Sequence, residues 1–233
     1  MKNLLLAAIF LVGITLCACN RDSITKVPVN ADLKTAFNYK PGTYWIYRDS
    51  ISGIIDSFFV RSNEDIYTNT TNGSSKSIED IVMNISEYTN IPTLSKIDTQ
   101  SWIFDFETTM FNIYFYDNKI YDNQVQFFPL INYPFQTSLS SYPLISNYYE
   151  VEKGTVINIF DAFTLNGQSF NNVAEISHSA NINASQNSSL NSPYSYNDLF
   201  FISSDVGIIK MSLNHPEDSM NRVWEIQRWH IVK

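Results

Sequence analysis

The sequence predicts an antiparallel all-β domain of roughly ten to twelve strands, barrel-like or rolled into an open half-barrel, with at most a short N-terminal helix. Three observations carry this. From Tyr39 onward, short alternating apolar and polar runs recur at about the 8–12-residue spacing of sandwiches and barrels. Two Asn-Gly pairs, Asn72-Gly73 and Asn166-Gly167, sit between such runs, and both of their positions tolerate the positive φ that a tight hairpin needs. Aromatic residues, which favour strands, reach 15% (16 Phe, 14 Tyr, 4 Trp), and no segment sustains a helical period.

Taken in order, Thr43 to Asp49 enters through the Pro41-Gly42 turn and is followed by a Ser50–Gly53 loop and a run from Ile54 to Asn63. A run ending near Tyr67 returns through Asn72-Gly73 into Ser77–Tyr88, where Ile81, Met83 and Ile85 share one face. Trp102 to Glu107 puts Trp102, Phe104 and Phe106 on one side and Ile103 and Asp105 on the other. Met110–Tyr116 and Gln124–Leu130 follow. Val156–Leu165 and Ser169–Ser177 flank Asn166-Gly167, and Phe200–Ser203, Gly207–Leu213 and Val223–Val232 complete the set. Gly207 suits a bend or bulge at a strand start. Asn181 to Asn197 and Pro134 to Ser146 read as loops, and a short helix fits Ala31 to Phe37.

Composition narrows the function. Lys and Arg total 15 against 23 Asp and Glu, a formal charge of −8, so the chain lacks the basic footprint of a nucleic-acid binder. Only 7 glycines are present, and no glycine-rich phosphate loop is among them. The N-terminus has an export pattern: Lys2, then an uncharged apolar stretch from Leu4 to Leu16, too short to cross a bilayer but suited to a signal peptide. Leu16-Cys17-Ala18-Cys19 resembles the lipobox of bacterial lipoproteins. The resemblance implies cleavage after Ala18 and acylation of Cys19. The expected organisation is a signal peptide over 1–18, a lipidated tether over 19–37 and one β domain over 38–233. Both cysteines, Cys17 and Cys19, lie in this leader, so the expected domain has no disulfide, cysteine nucleophile or thiolate metal ligand. No Asp follows Cys19, which favours the outer membrane. Asp22-Ser23-Ile24 resembles an O-glycosylation acceptor, with Ser23 as its hydroxyl.

The search for chemistry returns little. His178, His215 and His230 are spread over separate runs, and only His215 with Glu217 and Asp218 approaches a metal-ligand grouping. G-x-S-x-G and H-E-x-x-H are absent. Of the carboxylate pairs, Glu64-Asp65 and Glu79-Asp80 are adjacent along a strand and so point to opposite faces, while Asp105 and Glu107 share one. No catalytic residue, metal or cofactor is expected. The density of aromatics from Trp102 to Phe135 admits two readings, a filled core or a concave ligand surface. Trp102, Phe104, Phe106, Tyr114 and Tyr116 are the candidate ligand-binding residues.

The lipobox, Pro41-Gly42-Thr43-Tyr44-Trp45-Ile46-Tyr47, Phe170-Asn171-Asn172-Val173, Asp205-Val206-Gly207-Ile208-Ile209-Lys210 and Trp224-Glu225-Ile226-Gln227-Arg228-Trp229 together resemble the uncharacterised all-β envelope lipoproteins of diderm bacteria. That resemblance implies fold and location and brings no reaction. The expected function is therefore non-enzymatic: an outer-membrane lipoprotein that binds an apolar or glycan ligand, or alternatively a structural subunit docking to another envelope protein. The expected partners are the membrane, through the N-terminal lipid, and a lipid, glycan or envelope protein, with no nucleic acid.

Overall fold

A computed structural model describes residues 24–69, 76–89, 101–107, 110–116, 125–127, 131–137, 153–182, 194–215 and 220–233. In chain order the elements are β1 (Thr25–Val27), α1 (Ala31–Phe37), β2 (Tyr44–Asp49), β3 (Ile55–Asn69), β4 (Lys76–Thr89), β5 (Ser101–Glu107), β6 (Met110–Tyr116), β7 (Val125–Phe127), β8 (Ile131–Asn132), β9 (Lys153–Leu165), β10 (Gln168–Ile182), β11 (Tyr194–Ser203), β12 (Gly207–His215) and β13 (Met220–His230). The fold is all-β with one short helix, and the sheet forms an open half-barrel.

The strands run β7-β6-β5-β4-β3-β2-β13-β12-β11-β10-β9 across a single sheet, with β1 parallel to β4 and β8 antiparallel to β6 beside this path. Two antiparallel meanders are therefore joined back to back. β2 opens the first, β13 ends the second, and they meet in the middle through Tyr44↔His230, Trp45↔Trp229, Tyr47↔Ile226 and Asp49↔Trp224. A bulge between Ile226 and Arg228 kinks this seam. The central part of the sequence supplies both outer edges, β7 and β9.

Alternation explains which face is interior. Trp45 and Tyr47 of β2 are buried, while Tyr44 and Ile46 are partly exposed and Arg48 is exposed. Phe58 and Val60 of β3 and Ile81, Met83 and Ile85 of β4 extend the same core in one meander, and Ile176, Phe200, Ile202 and Met211 extend it in the other. The curl brings strands that are not neighbours within side-chain reach. Trp45 Nε1 donates to Val206 O (2.6 Å), and Tyr47 Oη donates to Ile208 O (2.6 Å), both across β13. Gly207 permits the approach: its φ is +95°, and a Cβ there would lie 3.2 Å from Tyr39 Oη.

The second meander is covered on both faces, which period-two alternation did not foretell. Ile208 and Ile209 are both buried, as are Phe200, Phe201 and Ile202. On its outer side Phe201 stacks with Phe163 (5.1 Å between centroids), which meets Phe160, and Lys210 lies 5.8 Å over its ring. The β9–β10 hairpin turns through Asn166 (φ 51°) and Gly167 (φ 76°), as the Asn-Gly pair predicts. Its tip overhangs the β11–β12 turn and reaches β13. There Asn166 donates to Glu225 (3.4 Å), Gln168 to Gln227 O (3.5 Å), and Phe170 packs on Trp229 (5.2 Å).

Three expectations shift. The stretch expected as tether is, from Thr25 onward, part of the domain: β1 pairs with β4, and Val29, Leu33, Ala36 and Phe37 are buried. Four apolar residues among polar ones were enough to form a docked face. The polar stretch expected as a loop over Asn181 to Asn197 is narrower, because Asn181↔Ser195 and Ser179↔Asn197 continue the β10–β11 ladder; main-chain bonding holds strands whose side chains are polar. Finally, one pairing is parallel, between β1 and β4. The Asn72-Gly73 turn lies outside the described residues.

Asp49 locks the seam. It is fully buried, and its carboxylate accepts from Val223 N–H (3.0 Å), Arg222 Nη1 (3.0 Å), Ile51 N–H (3.2 Å), Ser52 N–H (3.2 Å) and the Ser52 hydroxyl. Burial alone would raise its pKa. The bonds from Ser52, Val223, Arg222 and Ile51 overcome this and hold it at about 2 instead of 3.8.

A group ionised more readily in the folded state stabilises above its unfolded pKa and loses that contribution as pH falls through the folded value. Asp49→Asn is thus expected to lower stability by about 1–3 kcal/mol at neutral pH and to flatten the decline between about pH 4 and pH 2, read by urea titration across pH. Gly207→Ala is expected to lower stability by about 1–3 kcal/mol through positive-φ strain and the contact with Tyr39, measured as a drop in melting temperature.

Candidate functional site

The interior of the half-barrel, beneath α1, holds the most organised polar chemistry among the described residues. α1 is only seven residues long, too short to persist alone. Asn30 caps it by accepting from Asp32 N–H (2.8 Å) and Leu33 N–H (3.2 Å). At the other end Lys233 donates to Thr35 O (2.9 Å) and Ala36 O, and its ammonium lies 4.4 Å over the Tyr39 ring. Desolvation pulls that ammonium down to about 8, against the opposite pull of Asp205. Leu33 and Phe37, both fully buried, each contribute about 1.5–3 kcal/mol of apolar burial.

Under the helix lies Glu79 of β4, 2% exposed. Its Oε2 accepts from Val29 N–H (2.7 Å), and its Oε1 pairs with Lys34. Asp65 of β3, diagonal to Glu79 in the register, shares a hydrogen bond with it. Burial works against ionisation of Glu79, but Lys34, Val29 and Asp65 prevail and hold it below the ordinary range. Asp65 moves the other way: loss of water around it, the bond to Glu79 and the Glu79 charge raise its pKa, against Lys34 and Lys40. Asp65 therefore takes the first proton of the pair as pH falls.

Neither carboxylate pair read along the strand converges, yet one member of each meets across the strands. A two-residue turn at Asn72-Gly73 would set Asp65 opposite Asp80 and Glu79 on the other face; the observed register, Asp65↔Ile81 and Tyr67↔Glu79, is shifted by one residue, and that shift puts Asp65 and Glu79 on one face. The remaining link, from Lys34, has no local signal.

Around this clamp the described aromatics fill space by packing on one another. Phe37 meets Tyr133 (5.3 Å), Phe135 (6.0 Å) and Tyr39 (6.5 Å) edge-on, Tyr133 meets Phe135 (5.2 Å), and Tyr39 meets Trp45 (5.3 Å). Tyr39 Oη is buried and has no hydrogen-bond partner among the described residues, and burial first, then Tyr47, Asp205 and Tyr133, keep it neutral well above the usual range.

The five aromatic candidates lie on two adjacent strands at the outer part of the first meander. Trp102, Phe104 and Phe106 of β5 stand in register with Ile85, Met83 and Ile81 of β4. Tyr114 and Tyr116 of β6 stand opposite Ile103 and Ser101, so their positions alternate to the other face of the sheet. The side chains of all five lie outside the described residues, as do Cys19 and Ser23.

His178 of β10 pairs in register with Asp198 and Gly154, and His215 of β12 with Met220; the side chains of both histidines, like Glu217 and Asp218, are outside the described set. His230 is exposed beside Tyr44 (5.9 Å). Asp105 and Glu107 stand in register with Val82 and Asp80. Among the described residues, no three His, Cys, Asp or Glu side chains are grouped to hold a metal, and no helix is long and apolar enough to cross a membrane.

No family model matches the chain, and no curated protein matches it in sequence. Two crystal structures are similar in chain trace. One is a provisionally named lipoprotein from Parabacteroides distasonis ATCC 8503, at 8% identity and TM-score 0.42, covering 83% of this chain and 96% of that one. The other is a provisionally named exported protein with a YmcC-like fold from Bacteroides fragilis NCTC 9343, at 8% identity and TM-score 0.43, covering 84% of this chain and 99% of that one. Neither likeness bears on what this chain binds.

Glu79→Gln is expected to release β1 and α1 while the sheet stays folded. Limited proteolysis should then cut between residues 25 and 37 before anywhere in β9–β13, and amide exchange in α1 should rise toward that of the free strand ends. Cleavage no faster than in wild type would remove Glu79 from this role.

Proposed function

We propose that the chain is an outer-membrane lipoprotein with a binding role and no catalytic one, held to the bilayer by acyl chains on Cys19. The observation that carries this is the order of Lys2, the Leu4–Leu16 apolar stretch and Leu16-Cys17-Ala18-Cys19, followed within a few residues by the start of the folded domain at Thr25. Two or three acyl chains make such an anchor effectively permanent, where one would bind only marginally. Ser23, in the short stretch between anchor and domain, is the position for a glycan.

Two contact surfaces fit a binding role. The aromatic positions suit an apolar or glycan ligand on either face of the sheet, Trp102, Phe104 and Phe106 on one and Tyr114 and Tyr116 on the other, since ring faces stack on sugars and acyl chains alike. The second reading, docking to an envelope protein, is favoured by β9. This strand is 13 residues long and, among the described residues, pairs only with β10, so its other side offers main-chain donors and acceptors to a partner strand. Interior space taken up by α1 and the Phe37–Tyr133–Phe135 cluster favours contacts at the edge over contacts inside.

Metabolic labelling with a palmitate analogue is expected to mark wild type and leave Cys19→Ala unmarked, with the variant released from the membrane fraction. Equal labelling of the two would overturn the anchor. Fluorescent lipid and glycan panels separate the two contact readings: saturable binding weakened by Phe104→Ala supports the ligand surface, and its absence leaves the β9 edge.

A further inference from the structure

Resting on the lipid-anchor reading, we propose that one particular end of the sheet, formed by β1, the last residues of β3 and the first of β4, lies against the headgroup layer of the anchoring bilayer. This end carries a mixed apolar and cationic surface. Ile24 is 56% exposed, Tyr67 43% and Ile66 41%. Lys26 is exposed and lies 4.6 Å over the Tyr67 ring, and exposed Lys76 stands in register with Thr25. Ile66 and Tyr67 are consecutive and point to opposite faces, yet both are exposed, because β3 runs uncovered from Glu64 to Tyr67. Of the acidic groups here, Asp65 is engaged with Glu79, half-buried Asp80 stands opposite Ile66 in the register, and exposed Glu64, on the face of Ile66, lies further along β3 from this end.

Chain length selects the occupant. Ile24 is the fifth residue after Cys19, and those five steps span at most about 18 Å whatever path they take. Ile24 leads directly into β1, so the anchored sulfur keeps this end beside the bilayer. The other exposed isoleucines of the hairpin system, Ile51 and Ile55, sit at the opposite end of β3. At strand rise, Ile55 is about 36 Å from Ile66. Tyrosine, aliphatic side chains and lysine are the residues that settle at a membrane–water boundary, the lysines drawn to anionic headgroups. The Glu79 clamp, through Val29 and Lys34, fastens the segment that follows β1 to the body of the sheet.

The test uses full-length acylated protein in vesicles of phosphatidylethanolamine and phosphatidylglycerol, some with brominated acyl chains. Ile66→Cys, Lys26→Cys and the distal Ile55→Cys carry an environment-sensitive fluorophore, since thioether-linked Cys19 offers no competing thiol. The expected result is a blue shift and severalfold stronger bromolipid quenching at 66 and 26 than at 55. Two reporters on different strands guard against a fold disturbed at one of them. Acylated protein with equal quenching at all three positions overturns this orientation and leaves the anchor standing. An intact mass lacking acyl groups on Cys19 overturns both.

Discussion

The pairing of β2 with β13 is the constraint on which the rest of the molecule depends. Each meander is built of neighbouring hairpins that the chain can form locally, but neither covers its own inner face. Only when Trp45 and Tyr47 come alongside Trp229 and Ile226 do the two inner faces become one concave surface. The Trp45–Val206 and Tyr47–Ile208 hydrogen bonds then tie the curl together, and Asp49 satisfies the polar groups of the β2–β3 turn and of Val223 at one end of the seam. A carboxylate with five donors in a solvent-free position is costly to disturb, because removing it takes a shared acceptor from Val223, Arg222, Ile51 and Ser52 at once.

Interior and exterior are decided by different means. Inside, α1 acts as a plug, and its short length is offset by capping from Asn30 and Lys233 and by burial of Leu33 and Phe37. Outside, the second meander gains cover from its own β9–β10 hairpin, whose tip places Asn166 against Glu225 and Gln168 against Gln227. The two halves of the sheet are therefore not equivalent. One is sealed by a helix and a segment from the N-terminal side, the other by folding over itself, and among the described residues the long β9 strand pairs on one side only.

Much of the fold was legible because its signals are local. Alternation in Tyr44–Asp49 marks β2 correctly, Asn166-Gly167 forms the turn its residue types require, and Ala31–Phe37 is the helix its composition allowed. What escaped the sequence depends on pairings between distant segments. The docking of Val29 to Phe37 relies on Glu79, some fifty residues away in the chain, so the polar composition of that stretch read as a tether. Burial of both Ile208 and Ile209 depends on strands laid over them from elsewhere. The Asp65–Glu79 contact needed a strand register, which two adjacent carboxylates cannot supply by themselves. For the aromatic positions on β5 and β6, residue type and register are legible, and their division between two faces was already implied by alternation.

The central seam also sets an order of events. A polypeptide that emerges one end first, from a ribosome or through a secretion channel, exposes β2 early and β13 late. Until β13 arrives, β2 has one flank without a partner, and the concave surface has no second wall. Premature closure is thereby suppressed by topology alone. The chain stays loose while its last strand is missing and commits to its final shape only when that strand is present.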